Sequence, residues 1–199
     1  MRAGYSLVAV VLVLAGCAPE AATGDPTATP GDSEPTPTQT ATVTRTFTMP
    51  SLCAEILPES RVSDWLDDGI VLLGGPDGKY GDDYLADPSP EQELGGITCI
   101  WGPNDSENSS VTVSVAPLTA ASRGAKVNDL VVTQGLNEEI SGDASVYWQH
   151  GDTELEPAIL NVVRADSWIS VIETIGGPDA FAEAEDIADE VYELVYRAA

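Results

Sequence analysis

The sequence predicts an α+β fold: an antiparallel sheet of about five strands, with helices packed on one face and one disulfide. Three observations predict it. Short segments rich in β-branched and aromatic residues are bounded by turn residues, as strands are. A long C-terminal segment has apolar residues at helical spacing. The elements follow one another as helices, a hairpin, a helix, three strands and a final helix, which favours α+β over an alternating α/β fold.

The first 16 residues have the organisation of a signal peptide. Arg2 supplies a positive charge, and residues 6–14 are almost wholly apolar. That run is typical of a secretory signal and too short to span a bilayer, which takes about 20 apolar residues. Leu-Ala-Gly-Cys follows and resembles the lipobox of bacterial lipoproteins. The resemblance implies cleavage between Gly16 and Cys17 and a diacylglyceryl group on Cys17. The alternative is an ordinary signal peptide cut nearby.

Residues 17–50 are predicted to be the lipidated cysteine and a disordered tether, because Thr, Pro and Ala dominate and large apolar residues are nearly absent before Val43. Residues 42–49 alternate strictly and would place Val43, Phe47 and Met49 on one face of a strand. We favour a solvated tether end there. Residues 51–199 are predicted to form a single domain outside the cytoplasm.

The chain contains three cysteines, Cys17, Cys53 and Cys99. If a lipid occupies Cys17, an even pair remains, and outside the cytoplasm such a pair can form a disulfide. The bridge would close a loop of about 47 residues, worth about 4 kcal/mol by loop-closure entropy. Two buried free thiols are the alternative. A redox or metal pair lacks support, since there is no Cys-x-x-Cys motif and His150 is the only histidine.

The charge balance limits the partners. The 33 Asp and Glu residues against 8 Lys and Arg give a net charge of −25. Such a surface repels nucleic-acid phosphates and anionic lipid head groups. Nucleic acid is therefore excluded as a partner, whereas basic proteins, cations and neutral ligands remain open.

The domain begins with helical patterns. Ser51 is placed to cap a short helix over residues 52–57. A second helix is predicted from residue 60 or 63 to residue 73, ended by Gly74-Gly75-Pro76. Residues 76–96 are acidic and rich in Gly and Pro, which indicates a long loop of the kind that is often functional. The stripe of the second helix is formed by Val62, Trp65, Leu66 and Ile70.

The remaining elements are mostly strands. A hairpin is predicted from residues 96–102 and 110–115, and a helix within residues 119–135. Three more strands are predicted at residues 144–150, 158–164 and 168–175. A final helix begins at Pro178 and runs to about Arg197. Its apolar stripe consists of Phe181, Ala184, Ile187, Ala188, Val191, Leu194 and Val195.

Several of these features together resemble an actinobacterial lipoprotein family of unknown function. They are the lipobox, the Thr/Pro-rich tether, Cys53-Ala-Glu-Ile56 at the first helix and Cys99-Ile-Trp101 on a strand. The resemblance spans most of the chain through short motifs. It implies an envelope location and a disulfide, and it implies no catalytic residues.

No catalytic set is apparent. A Ser or Cys nucleophile needs a nearby base, and His150, the single candidate, is better explained as a surface or edge residue. Gly-x-Ser-x-Gly does not occur. The acidic pairs Asp82-Asp83 and Glu138-Glu139 carry little information in so acidic a chain. Five aromatic residues could line a groove for a peptide or sugar: Trp65, Trp101, Tyr147, Trp148 and Trp168. Aromatic residues on strands are more often core, so core is the default interpretation.

Calcium is the best metal candidate, because oxygen ligands in an acidic, Gly-rich loop suit it. The candidate ligands are Asp77, Asp82, Asp83 and Asp87. Their spacing is not that of an EF-hand, and solvated loop acids are the favoured interpretation. We therefore predict no metal site and no cofactor.

The sequence favours a non-catalytic lipoprotein, lipid-anchored on the extracytoplasmic face of the cell membrane. Its domain would bind a small ligand or an envelope protein through a face of the sheet or through residues 76–96. Two alternatives stay open. One is a small cell-wall-directed hydrolase that uses paired carboxylates. The other is a calcium-binding surface protein.

Overall fold

The computed structural model describes residues 44–104, 110–151 and 156–198. The chain divides into two units, Met1–Thr40 and Ala41–Ala199, and every described residue belongs to the second. Gly16, Cys17 and the predicted signal peptide therefore lie outside the described residues. Within the described ranges, no helix is both long enough and apolar enough to cross a membrane.

The described residues form nine strands and four α-helices. The strands are β1 (Arg45–Phe47), β2 (Ile70–Gly74), β3 (Ile97–Pro103), β4 (Val111–Pro117), β5 (Asn137–Ser141), β6 (Ala144–Gln149), β7 (Ala158–Val163), β8 (Ser167–Glu173) and β9 (Tyr196–Ala198). The α-helices are α1 (Glu59–Asp67), α2 (Pro90–Glu93), α3 (Ala120–Asn128) and α4 (Pro178–Val195). Short 3₁₀ helices occupy Cys53–Glu55 and Gly81–Tyr84, and one π-helical turn, Asp129–Thr133, continues α3.

Seven strands form one antiparallel sheet in the order β2-β3-β4-β8-β7-β6-β5. The predicted α+β class and the antiparallel sheet are confirmed, and the sheet is larger than the five strands expected. The two additional strands are its edges. Residues 70–73, predicted to end the second helix, instead form most of β2, because the chain turns at Gly69 with φ +81°.

Helices cover both faces of the sheet, so the prediction that they pack on one face was wrong. One face packs on α4 and α1 through the main apolar core, which includes Val113, Val171 and Ile187. A second cluster, which includes Leu130 and Trp168, lies on the other face beneath α3 and its π-helical turn. The reason is that successive residues of a strand point to opposite faces, and the central strands carry buried residues on both.

The C-terminal helix forms as predicted, with six of the residues of its stripe buried and Leu194 partly buried. It ends at Val195, however, and Tyr196–Ala198 pairs antiparallel with Arg45–Phe47 as a separate two-stranded sheet. Residues 45–47 are therefore a strand, where we favoured a solvated tether end. The packing of Phe47 stabilises this strand, since its ring lies 5.6 Å from that of Tyr196 and contacts the main core.

The predicted bridge between Cys53 and Cys99 is present, and both residues are fully buried. It joins the segment before α1 to the central part of β3. The short helix beside it differs from the prediction, because Ser51 does not cap it with its side chain. Instead the Glu55 carboxylate accepts hydrogen bonds from the backbone N–H groups of Ser51, at 2.7 Å, and Leu52, at 3.1 Å.

Candidate functional site

A groove of about 180 Å³ opens on the sheet face opposite α4, and we call it the sheet groove. Its floor is made by β3, β4, β8 and β7. Its walls come from residues 85–91 and from the segment formed by α3 and the π-helical turn. The lining residues are Leu85, Ser89, Pro90, Glu91, Thr98, Ile100, Thr112, Ser114, Lys126, Gln134, Ile159, Asn161, Trp168, Ser170 and Ile172.

The inner part of the floor is a line of buried polar side chains that crosses four strands. Thr98 pairs with Ser114, Ser114 with Ser170, and Ser170 with Asn161. We call these four residues the polar row; each is at most 3% exposed. Within the polar row Ser114 Oγ donates to Thr98 Oγ1 at 3.0 Å. Because polar groups are costly to bury, such a row needs hydrogen-bonding partners.

Asn161 is held in place by a tryptophan. The Trp168 indole N–H donates to Asn161 Oδ1 at 2.9 Å, and both residues are buried. The ammonium of Lys126 lies 4.3 Å from the centroid of the Trp168 ring and 3.1 Å from Asp129 Oδ2. The lysine is therefore already engaged by a carboxylate and by an aromatic face.

A carboxyl group stands beside the polar row, at the wall of the groove. Glu91 belongs to α2, which Ser89 caps: Ser89 Oγ accepts from the Gln92 N–H at 3.2 Å, and Gln92 Oε1 accepts from the Ser89 N–H at 2.8 Å. Pro90 at the first helical position fixes the entry to this single turn. Ser89 Oγ also lies 2.5 Å from Thr98 Oγ1, which ties α2 to the floor.

Burial changes the acidity of that carboxyl group. Glu91 is 6% exposed, and this desolvation raises its pKa above the ordinary value of 4.5. Hydrogen bonds from Ser89 and Ser170 and the charge of Lys126 act in the opposite direction without cancelling the rise. The groove thus contains a carboxyl group with an increased tendency to hold its proton.

The outer part of the floor is apolar. Ile100 pairs with Thr112, Thr112 with Ile172, and Ile172 with Ile159. We call these four residues the isoleucine row. Three of them, Thr112, Ile159 and Ile172, are only partly buried. The sheet groove therefore presents apolar surface next to a few convergent polar groups, which is the usual composition of a small-molecule site.

No family model, curated protein or solved structure matches the chain. The chemistry of the groove itself is therefore what indicates a function.

The calcium candidates do not come together. Asp77 has a positive φ of 65°, Asp82 and Asp83 lie in a 3₁₀ helix, and Asp87 follows in the loop. Across the described ranges, no group of three or more His, Cys, Asp and Glu side chains is placed to hold a metal ion.

Of the other candidates, Trp168 lines the sheet groove, and the rest lie elsewhere on the sheet or in the core. His150 is exposed, and its ring lies 4.5 Å from that of Trp148 and 4.2 Å from that of Phe181. Trp65 and Trp101 are buried against each other in the main core, as the default interpretation expected. Neither Glu91 nor the polar row was singled out from the sequence.

Proposed function

We propose that this chain is a lipid-anchored lipoprotein of the cell envelope, whose folded domain binds a small ligand in the sheet groove without catalysing a reaction on it. The observation that carries the proposal is the pairing of a buried polar row with a partly exposed isoleucine row in one concave surface. The envelope location rests on the sequence, through the apolar run of residues 6–14 and the lipobox that ends at Cys17.

The anchor is tested by metabolic labelling with a radioactive fatty acid in an expressing bacterium. We expect the wild-type chain to incorporate the label and Cys17→Ser to lose it. The double variant Cys53→Ser/Cys99→Ser is the matched control, because it removes two cysteines and leaves the lipidation site. Label absent from the wild type, or equal in wild type and Cys17→Ser, would contradict lipid anchoring.

Ligand binding is tested by ¹³C-methyl NMR on the chain from residue 17 onward with Cys17→Ser, which needs no detergent. A low-molecular-weight extract of the bacterial envelope is titrated in. We expect shifts at the methyl groups of Ile100, Ile159 and Ile172, and none at Ile56 and Ile187, which are fully buried in the core under the opposite face.

A groove-filling variant makes the test specific. Thr112→Trp places a large side chain in the middle of the isoleucine row and should abolish the shifts. Ile140→Trp adds the same side chain to the exposed edge strand β5, at a residue 69% exposed, and should leave the shifts unchanged. Equal shifts in both variants, or none in the wild type, would rule out the sheet groove as the binding site.

A further inference from the structure

The two rows of the sheet groove lie side by side, and their geometry restricts the shape of a ligand. Each row crosses four strands, which at about 4.8 Å between strands gives a length of about 14 Å. The rows are two residues apart along each strand, about 6.6 Å. A molecule that lies along the strands would therefore meet hydrogen-bonding groups at one end and hydrocarbon at the other.

The charged groups of the groove leave no counter-ion free for a ligand. Lys126 is engaged by Asp129 and by the ring of Trp168, while the burial of Glu91 raises its pKa and favours its neutral form. A ligand with a charged head group would have to be desolvated beside the polar row without an unengaged counter-ion among these groups. Desolvating an uncompensated charge costs several kcal/mol, far more than desolvating a hydroxyl that finds new partners.

We propose, resting on the ligand-binding function above, that the sheet groove selects small neutral amphiphiles. The hydroxyl or amide head group lies against Ser170, Asn161 and Glu91, and the hydrocarbon part lies on the isoleucine row. The head group exchanges hydrogen bonds with water for hydrogen bonds with the polar row. The hydrocarbon covers the partly exposed faces of Ile159, Ile172 and Thr112. The net charge of −25 further disfavours anionic molecules.

Three probes with the same hydrocarbon test the head-group selectivity: 1-hexanol, hexylammonium and hexanoate. Each is titrated into the methyl-labelled chain with Cys17→Ser, and dissociation constants are taken from the shifts of Ile100, Ile159 and Ile172. We expect 1-hexanol to bind at least tenfold more tightly than either ion. Equal or tighter binding of hexanoate or hexylammonium would overturn the selectivity while leaving the groove as a binding site.

A chain-length series tests the role of the isoleucine row. If the hydrocarbon lies on this row, each methylene added from 1-butanol to 1-hexanol should tighten binding about fourfold, the ratio that corresponds to its transfer from water. Thr112→Trp should remove this dependence, and Ile140→Trp should keep it. Affinities that do not change with chain length would overturn the assignment of the hydrocarbon to the row.

The two proposals fail in different ways. If the envelope extract shifts the groove methyl groups and none of the three hexyl probes does, the ligand class is wrong and the binding function stands. If neither the extract nor any probe shifts them, both proposals are wrong. A folded variant is recognised in each case by the unchanged methyl signals of Ile56 and Ile187.

Discussion

Glu91 and Glu173, two carboxyl groups whose pKa values are raised by burial, lie on opposite faces of the seven-stranded sheet. Glu91 lines the sheet groove and accepts a hydrogen bond from Ser170 of β8. Glu173 comes three residues after Ser170 on β8. Because successive residues of a strand point to opposite faces, Glu173 points to the other face, toward α4 and α1. Its pKa is raised by desolvation first and then by the charge of Glu183, and it is lowered by Arg61.

This placement bears on the hydrolase alternative. A glycoside hydrolase needs two carboxyl groups about 5–10 Å apart in one cleft. The sheet separates Glu91 from Glu173, so these two groups do not share a pocket. Ligand binding requires no such pair, and the binding that we propose rests on the two rows of the sheet groove.

Glu173→Gln should remove a pH dependence of stability. Burial raises the pKa of Glu173 from 4.5 to about 8, and its Oε1 has no hydrogen-bond partner among the described residues. Between these two pH values the folded chain holds a proton that the unfolded chain releases. The free energy of unfolding therefore falls as pH rises from about 4.5 to about 8.

Urea denaturation of wild type and Glu173→Gln at pH 5, 7 and 9 measures this effect. The variant should be similar to wild type at the lowest pH and more stable at the highest, by a few kcal/mol, since one pKa unit corresponds to about 1.4 kcal/mol. Glu185→Gln, at an exposed position of α4, controls for the loss of one negative charge. Parallel pH profiles of wild type and Glu173→Gln would show that Glu173 is not the titrating group.

The elements that the sequence predicted correctly are those with a strong apolar signal of their own. Strands β3, β4, β7 and β8 are buried along most of their length and β6 along half of it, and α4 has a continuous stripe. Strand β5 was missed because Asn137-Glu-Glu-Ile-Ser141 is an exposed edge without alternation. Strand β2 was missed because Ile70 falls at the spacing of the α1 stripe, and only Asp68-Gly69 marks the break between them.

The location of the binding site stays a prediction. The sequence pointed to a face of the sheet or to residues 76–96, and the sheet groove that we propose is lined by residues of both. Glu91 was not distinguishable among 33 acidic residues, because burial depends on tertiary packing. The strands themselves gave no signal for the polar row. Ser114, Asn161 and Ser170 each have apolar neighbours on both sides, and this alternation predicts a half-buried strand whose polar residues face solvent.

Asn161→Leu should destabilise the domain because it leaves the indole N–H of Trp168 without a hydrogen-bond acceptor. The buried Trp168 N–H donates to Asn161 Oδ1 at 2.9 Å, and an unsatisfied buried donor costs about 1–3 kcal/mol. In the background of Trp168→Phe, which has no such donor, the same substitution should cost less. A double-mutant cycle by urea denaturation, followed by circular dichroism, measures the difference. A coupling energy below about 0.3 kcal/mol would mean that the hydrogen bond contributes nothing.

Removal of the disulfide should weaken the domain without changing its fold. Cys53 and Cys99 are 46 residues apart, and both are in the main core. The unfolded chain gains entropy when the loop is opened, so Cys53→Ala/Cys99→Ala should lower the free energy of unfolding by about 4 kcal/mol. Cys17→Ser leaves the bridge intact and serves as the control in thermal and urea denaturation. A double variant as stable as this control would show that the bridge does not stabilise the domain.

Glycine is needed at Gly69 because of its backbone conformation, and at Gly75 because of its conformation and because other atoms lie close to it. Both have positive φ, +97° and +81°, so alanine is strained at either position, by about 1–2 kcal/mol. A Cβ at Gly69 would meet no atom within 4 Å, whereas one at Gly75 would lie 2.3 Å from the Thr98 carbonyl oxygen and 2.9 Å from Cys53 Sγ. Gly75→Ala must therefore displace the backbone of β3 or the disulfide.

We expect Gly69→Ala to lower the free energy of unfolding by the strain alone and Gly75→Ala to lower it by several kcal/mol more, because overpacking of backbone against backbone adds to the strain. Urea denaturation of the two variants gives the comparison. The methyl signals of Ile97 and Ile100, which flank Thr98 and Cys99 on β3, should shift in Gly75→Ala and stay in place in Gly69→Ala. Equal losses of stability with unshifted signals would mean that β3 does not contact the backbone at Gly75.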